Sequence, residues 1–441
     1  MFNVFMRNWK RRLGAAMLFS SVVFAAAAAV ANTDIYLAVR TDGKSGSGTQ
    51  ADPFDASSAP KFDALLARFK ANTNFHYAAG TYQTTGWHFQ TAQTANPGCV
   101  HLGAGIDQTV IQLTGVTNYP TSGVIFGCDY NLTCDGFQLQ NMTLDVNATK
   151  NPVWSGATGS LGAVAVQGNN LLISGCKMIN FGTSRSGSEC FTLFICPGPV
   201  FAGRTFNNIQ VQNCIFTNPA TGNQDGLTAC TVGSDHTVTL TNAAVTGCSF
   251  VDVESDFTYS HAFSANVAQN NFVTGCATGF YCEPTQVFNA AVSVVNNTFI
   301  DVSVAAAICF HANGGFGSLN FSGNKVVLRD QYNTYSAAVN VMNFDQQGAI
   351  PVMQSLSMTN NQIMGVGQGP LATPAYRAVD LRCPAANLII KSVAIQGNAL
   401  GTSIPNGVEF DVTRSSTVLP NLQYGINRYA NGLPVSIMRE M

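Results

Sequence analysis

One pattern of apolar and polar positions recurs nine times between Leu139 and Leu400: apolar, free, Asn or Gly, then Met, Cys or Asn, free, apolar. Its third position is Asn141, Gly175, Asn213, Gly247, Asn270, Asn296, Gly323, Asn360 and Gly397, at steps of 34, 38, 34, 23, 26, 27, 37 and 37 residues. Repeats at this spacing mark stacked coils rather than a globular core. Asn and Gly enter the left-handed backbone region at little cost, so the position predicts a sharp bend between two short strands, once per coil. The next residue reads Met142, Cys176, Cys214 and Cys248, then Asn271, Asn297, Asn324, Asn361 and Asn398. That order predicts an inward column that changes from small apolar packing to a ladder of stacked amides.

Ten or more residues after the bend in the later coils, Cys230, Cys282, Cys309, Val341, Leu381 and Phe410 sit centrally in short apolar runs and predict a second inward column. Side chains alternate along a strand, so their neighbours Tyr281, Glu283, Asn340, Asp380, Arg382, Glu409 and Asp411 are expected on the outside.

Composition fits an extended, turn-rich all-β chain: 10% of residues are charged and 46% hydrophobic. The amino end differs. Arg7, Lys10, Arg11 and Arg12 precede an apolar stretch from Leu13 to Val30, and Ala29, Val30 and Ala31 form a small-residue cleavage site. Residues 1–31 therefore read as a signal peptide cleaved after Ala31, a retained membrane anchor being the alternative. Its removal takes the formal charge from -2 to about -6. No basic patch suits nucleic acid, and no later apolar run is long enough to span a bilayer. The mature product is expected to be secreted or periplasmic.

Among the thirteen cysteines no CxxC spacing suggests a metal site. Cys128 and Cys134 flank a turn-like stretch and are the one disulfide expected. Cys190 and Cys196 flank an apolar run that reads as strand, too long for a bridge.

Phe62, Leu65, Leu66 and Phe69 fall at helical spacing within residues 59–71 and predict a helix that caps the open end of the first coil. Around it, Ile35-Tyr36-Leu37, Thr41-Asp42-Gly43, the Gly46 to Phe54 stretch, Ala79-Gly80-Thr81-Tyr82 and the Leu102 to Leu113 run resemble the first coils of the right-handed parallel β-helix proteins of the pectate-lyase-like superfamily. The resemblance implies a single-stranded parallel β-helix of roughly ten coils. Residues 32–100 would form the amino-terminal cap and first strands, 101–415 the β-helix, and 416–441 a carboxy-terminal tail or cap. It is specific for fold and not for activity, since the superfamily holds polysaccharide lyases, hydrolases, epimerases, esterases, tailspikes and adhesins.

Candidate chemistry gathers in the central coils. Asn223-Gln224-Asp225-Gly226 is similar to the Asn-x-Asp-Gly motif of polygalacturonase-type hydrolases and reads more simply as an Asp-Gly turn; that family's remaining motifs are absent. Asp252, Glu254 and Asp256, followed by His261, alternate as three carboxylates on one side of a strand would, or form a solvated loop. Glu283 and His311 follow the second column one coil apart and suit an acid and base pair, although His311 before Ala-Asn-Gly-Gly also reads as structural. Asp380 and Arg382 flank Leu381, as an exposed ion pair or as a carboxylate beside a lyase-like basic Arg. Tyr281 is the best outward aromatic for stacking on a sugar, with Asn340 and Asp380 to bind hydroxyls; Tyr259, Phe310, Tyr332 and Tyr335 are further aromatic candidates, with core stacking as the alternative.

Together these readings lead to an exported carbohydrate-active protein that cuts or modifies a polysaccharide in a lateral groove by lyase or hydrolase chemistry. Ca²⁺ is the one cofactor a lyase mechanism would call on, to stabilise an enolate-like intermediate. The competing reading is a non-catalytic glycan-binding, adhesin or structural β-helix. Convergence of Asp225, Glu254, Asp256, Glu283 and His311 on one groove would separate the two.

Overall fold

The computed structural model describes residues 32–440 except 89–92, 115–122, 149, 151–160, 183–188, 220–225, 234–237, 254–259, 283–286, 311–314, 330–335, 344–349, 366–375, 382–387, 402–405, 412–416, 419–420, 430 and 436. Within these residues the chain winds through three strand positions per coil, and each strand pairs with its counterpart one coil on. Leu171–Ser174, for example, lies between Gln138–Gln140 and Thr205–Gln212 in a first sheet, and Lys177–Ile179 pairs with Ile215–Thr217 in a second. Glu189–Ile195 pairs with Gly226–Val232 in a third. Every ladder among the described residues is parallel except the pairing of Trp87–His88 with Gly123–Gly127. Phe272–Cys282 and Thr298–Phe310 run from the second sheet into the third, which joins those two faces into one 22-stranded sheet beside the 16-stranded first sheet. This is a parallel β-helix.

All nine bend residues anticipated from the repeat have positive φ, from 53° at Asn213 to 70° at Gly397. The structure also explains much of the alternation of Asn with Gly. A Cβ on Gly175 would lie 2.6 Å from Asn141 Oδ1, and one on Gly247 2.6 Å from Asn213 Oδ1. The amide of one coil fills the space that a side chain of the next would need. Gly323 above Asn296 and Gly397 above Asn360 repeat the arrangement.

The inward column behind the bends is buried throughout. Asn271, Asn297, Asn324, Asn361 and Asn398 each donate their Nδ2 to the Oδ1 of the next amide at 2.8 to 3.1 Å, and the ladder ends on Asn427. Each Oδ1 from Asn297 to Asn427 also accepts the backbone N–H of the preceding Asn. Each Nδ2 donates in addition to a backbone carbonyl, so this dry polar column is fully paired. Asn427 escaped the repeat because Gly425 and Ile426 precede it in place of the usual bend residue.

Five residues beyond the bend, Asn180, Asn218, Asp252, Gly275 and Asp301 form a second set of left-handed corners, with φ between 48° and 61°. The strand of Asp252 ends at Val251, so Asp252 is a corner residue rather than the first of three alternating carboxylates. The expected second inward column also needs correction. Cys230 stands in register with Phe263, followed by Phe280, Ala306, Val339, Val379 and Val408. Ile308, not Cys309, bridges Cys282 and Val341, while Cys309 pairs with Met342. Corners and loops of unequal length make residue counting drift, and the register shift between Ile300 and Val302 is one such irregularity.

Ala59–Arg68 is helical and buries Phe62 and Leu66. Phe62 lies 6.0 Å from the Tyr77 ring and 5.7 Å from the Tyr82 ring, which joins the helix to the aromatic core of the first coils. No described helix is long and apolar enough to cross a membrane.

Candidate functional site

On the first two sheets buried positions alternate with partly exposed ones, as in Leu171–Ser174 and Lys325–Leu328. The third sheet departs from this: Tyr376–Asp380 and the described part of Ser336–Asn343 through Val341 are buried at every position. Alternation identifies the outer residues among them. Asn340 lies between Val339 and Val341, and Asp380 between Val379 and Leu381, all four members of the core. Asn340 and Asp380 therefore point opposite to these four side chains, yet are only 2% and 1% exposed.

Parallel register stacks these outer positions. Tyr281 pairs with Ala307, Ala307 with Asn340, Asn340 with Asp380, and Asp380 with Glu409. The column thus presents a half-buried phenol, a methyl gap, an amide and a carboxylate, at steps of about 4.8 Å, with a second acid in register beyond. Arg377 brings its guanidinium to 3.7 Å from Asp380 Oδ2, and the pair is almost wholly removed from solvent. Desolvating two such groups is costly. An amide and a paired carboxylate bind hydroxyl groups, and the flat ring of Tyr281 suits a sugar face.

Three of the candidates from the sequence, Tyr281, Asn340 and Asp380, are thus brought into one column. Asn340 and Asp380 are buried rather than freely exposed, and Arg377 on the same strand is one partner of Asp380. Arg377 was missed, although a lone Arg in the apolar run Tyr376-Arg377-Ala378-Val379 was its signal. His261 is on Ser260–Ala265, in register with Thr228 and Thr278. Asp225, Glu254, Asp256, Glu283, His311 and Arg382 lie outside the described residues, as do Tyr259, Tyr332 and Tyr335. In the sequence Asp225 immediately precedes a third-sheet strand, and Glu283, His311 and Arg382 immediately follow third-sheet segments. Phe310 is not a groove residue: it is fully buried in the core, edge-on to Phe316 at 6.4 Å. Among the described residues no three His, Cys, Asp or Glu side chains are grouped to hold a metal ion.

The chain is a parallel β-helix protein. No protein-family model and no curated protein matches it in sequence. Among solved structures it is similar to the A-module of mannuronan C-5 epimerase AlgE6 from Azotobacter vinelandii, with 16% identity and a TM-score of 0.43 over 84% of this chain and 93% of that one. It is also similar to PfbA, a surface adhesin of Streptococcus pneumoniae, with 12% identity and a TM-score of 0.41 over 90% and 94% of the two chains.

Proposed function

We propose that this is an exported carbohydrate-active β-helix protein that binds a linear polysaccharide along the outer face of the third sheet and cuts or modifies it there. The observation that carries the reading is the buried outer column from Tyr281 through Asn340 to Asp380, with Arg377 against the carboxylate. Polar groups on all but one of these coils, at steps of about 4.8 Å, suit a polymer lying parallel to the solenoid axis. Asp380 and the in-register Glu409 supply two carboxyl groups on neighbouring coils, the minimum for acid and base work on a glycosidic bond. Residues 1–31 would direct export.

The test is a panel of neutral and acidic polysaccharides, with and without Ca²⁺, in which binding, unsaturated products and new reducing ends are followed separately. Wild-type protein is expected to bind one class and release product from it. Glu409→Gln should retain binding and lose product, and Tyr281→Ala should weaken binding. Binding without product across the panel would replace this reading with a non-catalytic glycan-binding one, and absence of binding would remove both.

A further inference from the structure

Cys128 and Cys134 are held side by side by a neighbouring coil. The Cys128 amide donates to the Ala165 carbonyl at 3.1 Å and the Cys134 amide to the Gln167 carbonyl at 2.9 Å. Their backbones are therefore anchored two residues apart on one extended segment, a separation of about 6.6 Å. Disulfide-linked Cα atoms lie about 4.4 to 6.8 Å apart.

The intervening residues are folded out of the way. Asp129 accepts the Asn131 amide on its carboxylate and the Leu132 amide on its carbonyl, while Gln167 Nε2 donates to the Asp129 and Leu132 carbonyls at 3.0 and 2.7 Å. This loop exposes Tyr130 and Leu132 and leaves the two sulfurs beneath it, Cys134 Sγ on the Gln167 carbonyl and Cys128 Sγ on the Leu132 carbonyl. Cys176, Cys214 and Cys248 also neighbour one another, but they stack one coil apart in the inward column, whereas Cys128 and Cys134 sit at the two ends of a single loop.

We propose that Cys128 and Cys134, 4% and 0% exposed beneath the Tyr130 loop, form a dithiol that closes to a disulfide by exchange with a small disulfide donor admitted as that loop opens, stapling the loop to the coil. Cys128 is the attacking sulfur. Its thiol is held below the ordinary range by a hydrogen bond from Cys134, whereas burial and the neighbouring sulfur push Cys134 up. The Cys128 thiolate attacks one donor sulfur and releases the first donor thiolate. Cys134 then loses its proton and attacks the Cys128 sulfur of the mixed disulfide, releasing the second. Two cysteine thiols are oxidised, one donor disulfide is reduced to two thiols, and the number of protons is conserved between them.

The experiment equilibrates the folded full chain in oxidised glutathione, quenches with acid, alkylates under denaturing conditions and maps peptides without reduction. The expected result is a peptide linking Cys128 to Cys134, lighter by two hydrogens, that disappears on reduction, while the remaining cysteines of the thirteen are alkylated. In Cys134→Ser, Cys128 should instead accumulate as a glutathione adduct, and Cys128→Ser should give much less adduct at Cys134. Alkylation of both residues after oxidation, or linkage of either to a different cysteine, would overturn the proposal. The wild-type measurement needs no variant to fold and is independent of any activity on polysaccharide.

Discussion

Asn324→Ala tests the ladder at its centre. Asn324 Oδ1 accepts the Asn297 backbone N–H at 2.8 Å and the Asn297 Nδ2 at 3.1 Å; its own Nδ2 donates to the Val294 carbonyl at 2.9 Å and to Asn361 Oδ1 at 3.1 Å. Alanine removes all four bonds. Asn361 Oδ1 keeps the Asn324 backbone N–H, and Asn297 Nδ2 keeps the Ala268 carbonyl, so the severe losses are two buried donors of Asn297. A stranded buried donor costs about 1 to 3 kcal/mol, so with two stranded the variant should lose about 2 to 6 kcal/mol. Asn324→Cys should lose roughly half as much. The earlier coils show why: Cys248 Sγ accepts the Cys214 amide at 3.4 Å, so sulfur can take the Asn297 N–H weakly. Urea unfolding followed by circular dichroism gives the overall loss, and hydrogen exchange at the Asn297 amide reports the site itself. An Asn324→Ala variant within about 1 kcal/mol of wild type, or a Cys variant less stable than the Ala variant, would refute the argument.

Three further outcomes follow from the same geometry. Burial lowers the His101 pKa to about 3 while Tyr77 OH holds its Nδ1 at 2.6 Å; the unfolded chain therefore binds a proton that the fold does not as pH drops below about 6.5. Stability from this group is whole above that pH and should fall by about 2 kcal/mol by pH 5, a loss that His101→Gln removes from the pH dependence of thermal unfolding. Gly247→Ala places a Cβ 2.6 Å from Asn213 Oδ1 at a φ of 64° and should cost about 1 to 3 kcal/mol by denaturant titration, partly recovered by adding Asn213→Gly. Asp380→Asn removes the carboxylate 3.7 Å from the buried Arg377 guanidinium and should destabilise by about 3 to 5 kcal/mol, whereas Asp380→Asn with Arg377→Met should unfold closer to wild type; equal losses in both would show that the pair is not coupled.

The coils were readable because the bend admits so few residue types. A left-handed corner between two strands excludes most side chains, so Asn and Gly stood out at all nine positions. The second corner recurs five residues on, at Asn180, Asn218, Asp252, Gly275 and Asp301, but Asp252 also alternates with Glu254 and Asp256, so spacing alone does not separate a corner from a run of carboxylates. The third sheet was harder. Its residues are reached only after corners and loops of unequal length, so counting from the bend put Cys309 in the place that register gives to Ile308. Tyr281, Asn340 and Asp380 were found by simple alternation, which survives such errors within a strand. Their burial and the approach of Arg377 depend on what lies across the face, and periodicity carries no record of that.

The amide ladder also makes the carboxy-terminal coils interchangeable. From Asn271 to Asn398 every rung offers the same face upward and downward: two donors toward the next Oδ1, and one Oδ1 from Asn297 onward for the previous rung. A coil removed between Asn297 and Asn361 would bring together two side chains that already know how to join, with the same bonds in the same direction. The solenoid can therefore lengthen or shorten by whole coils in this half without inventing a new joint.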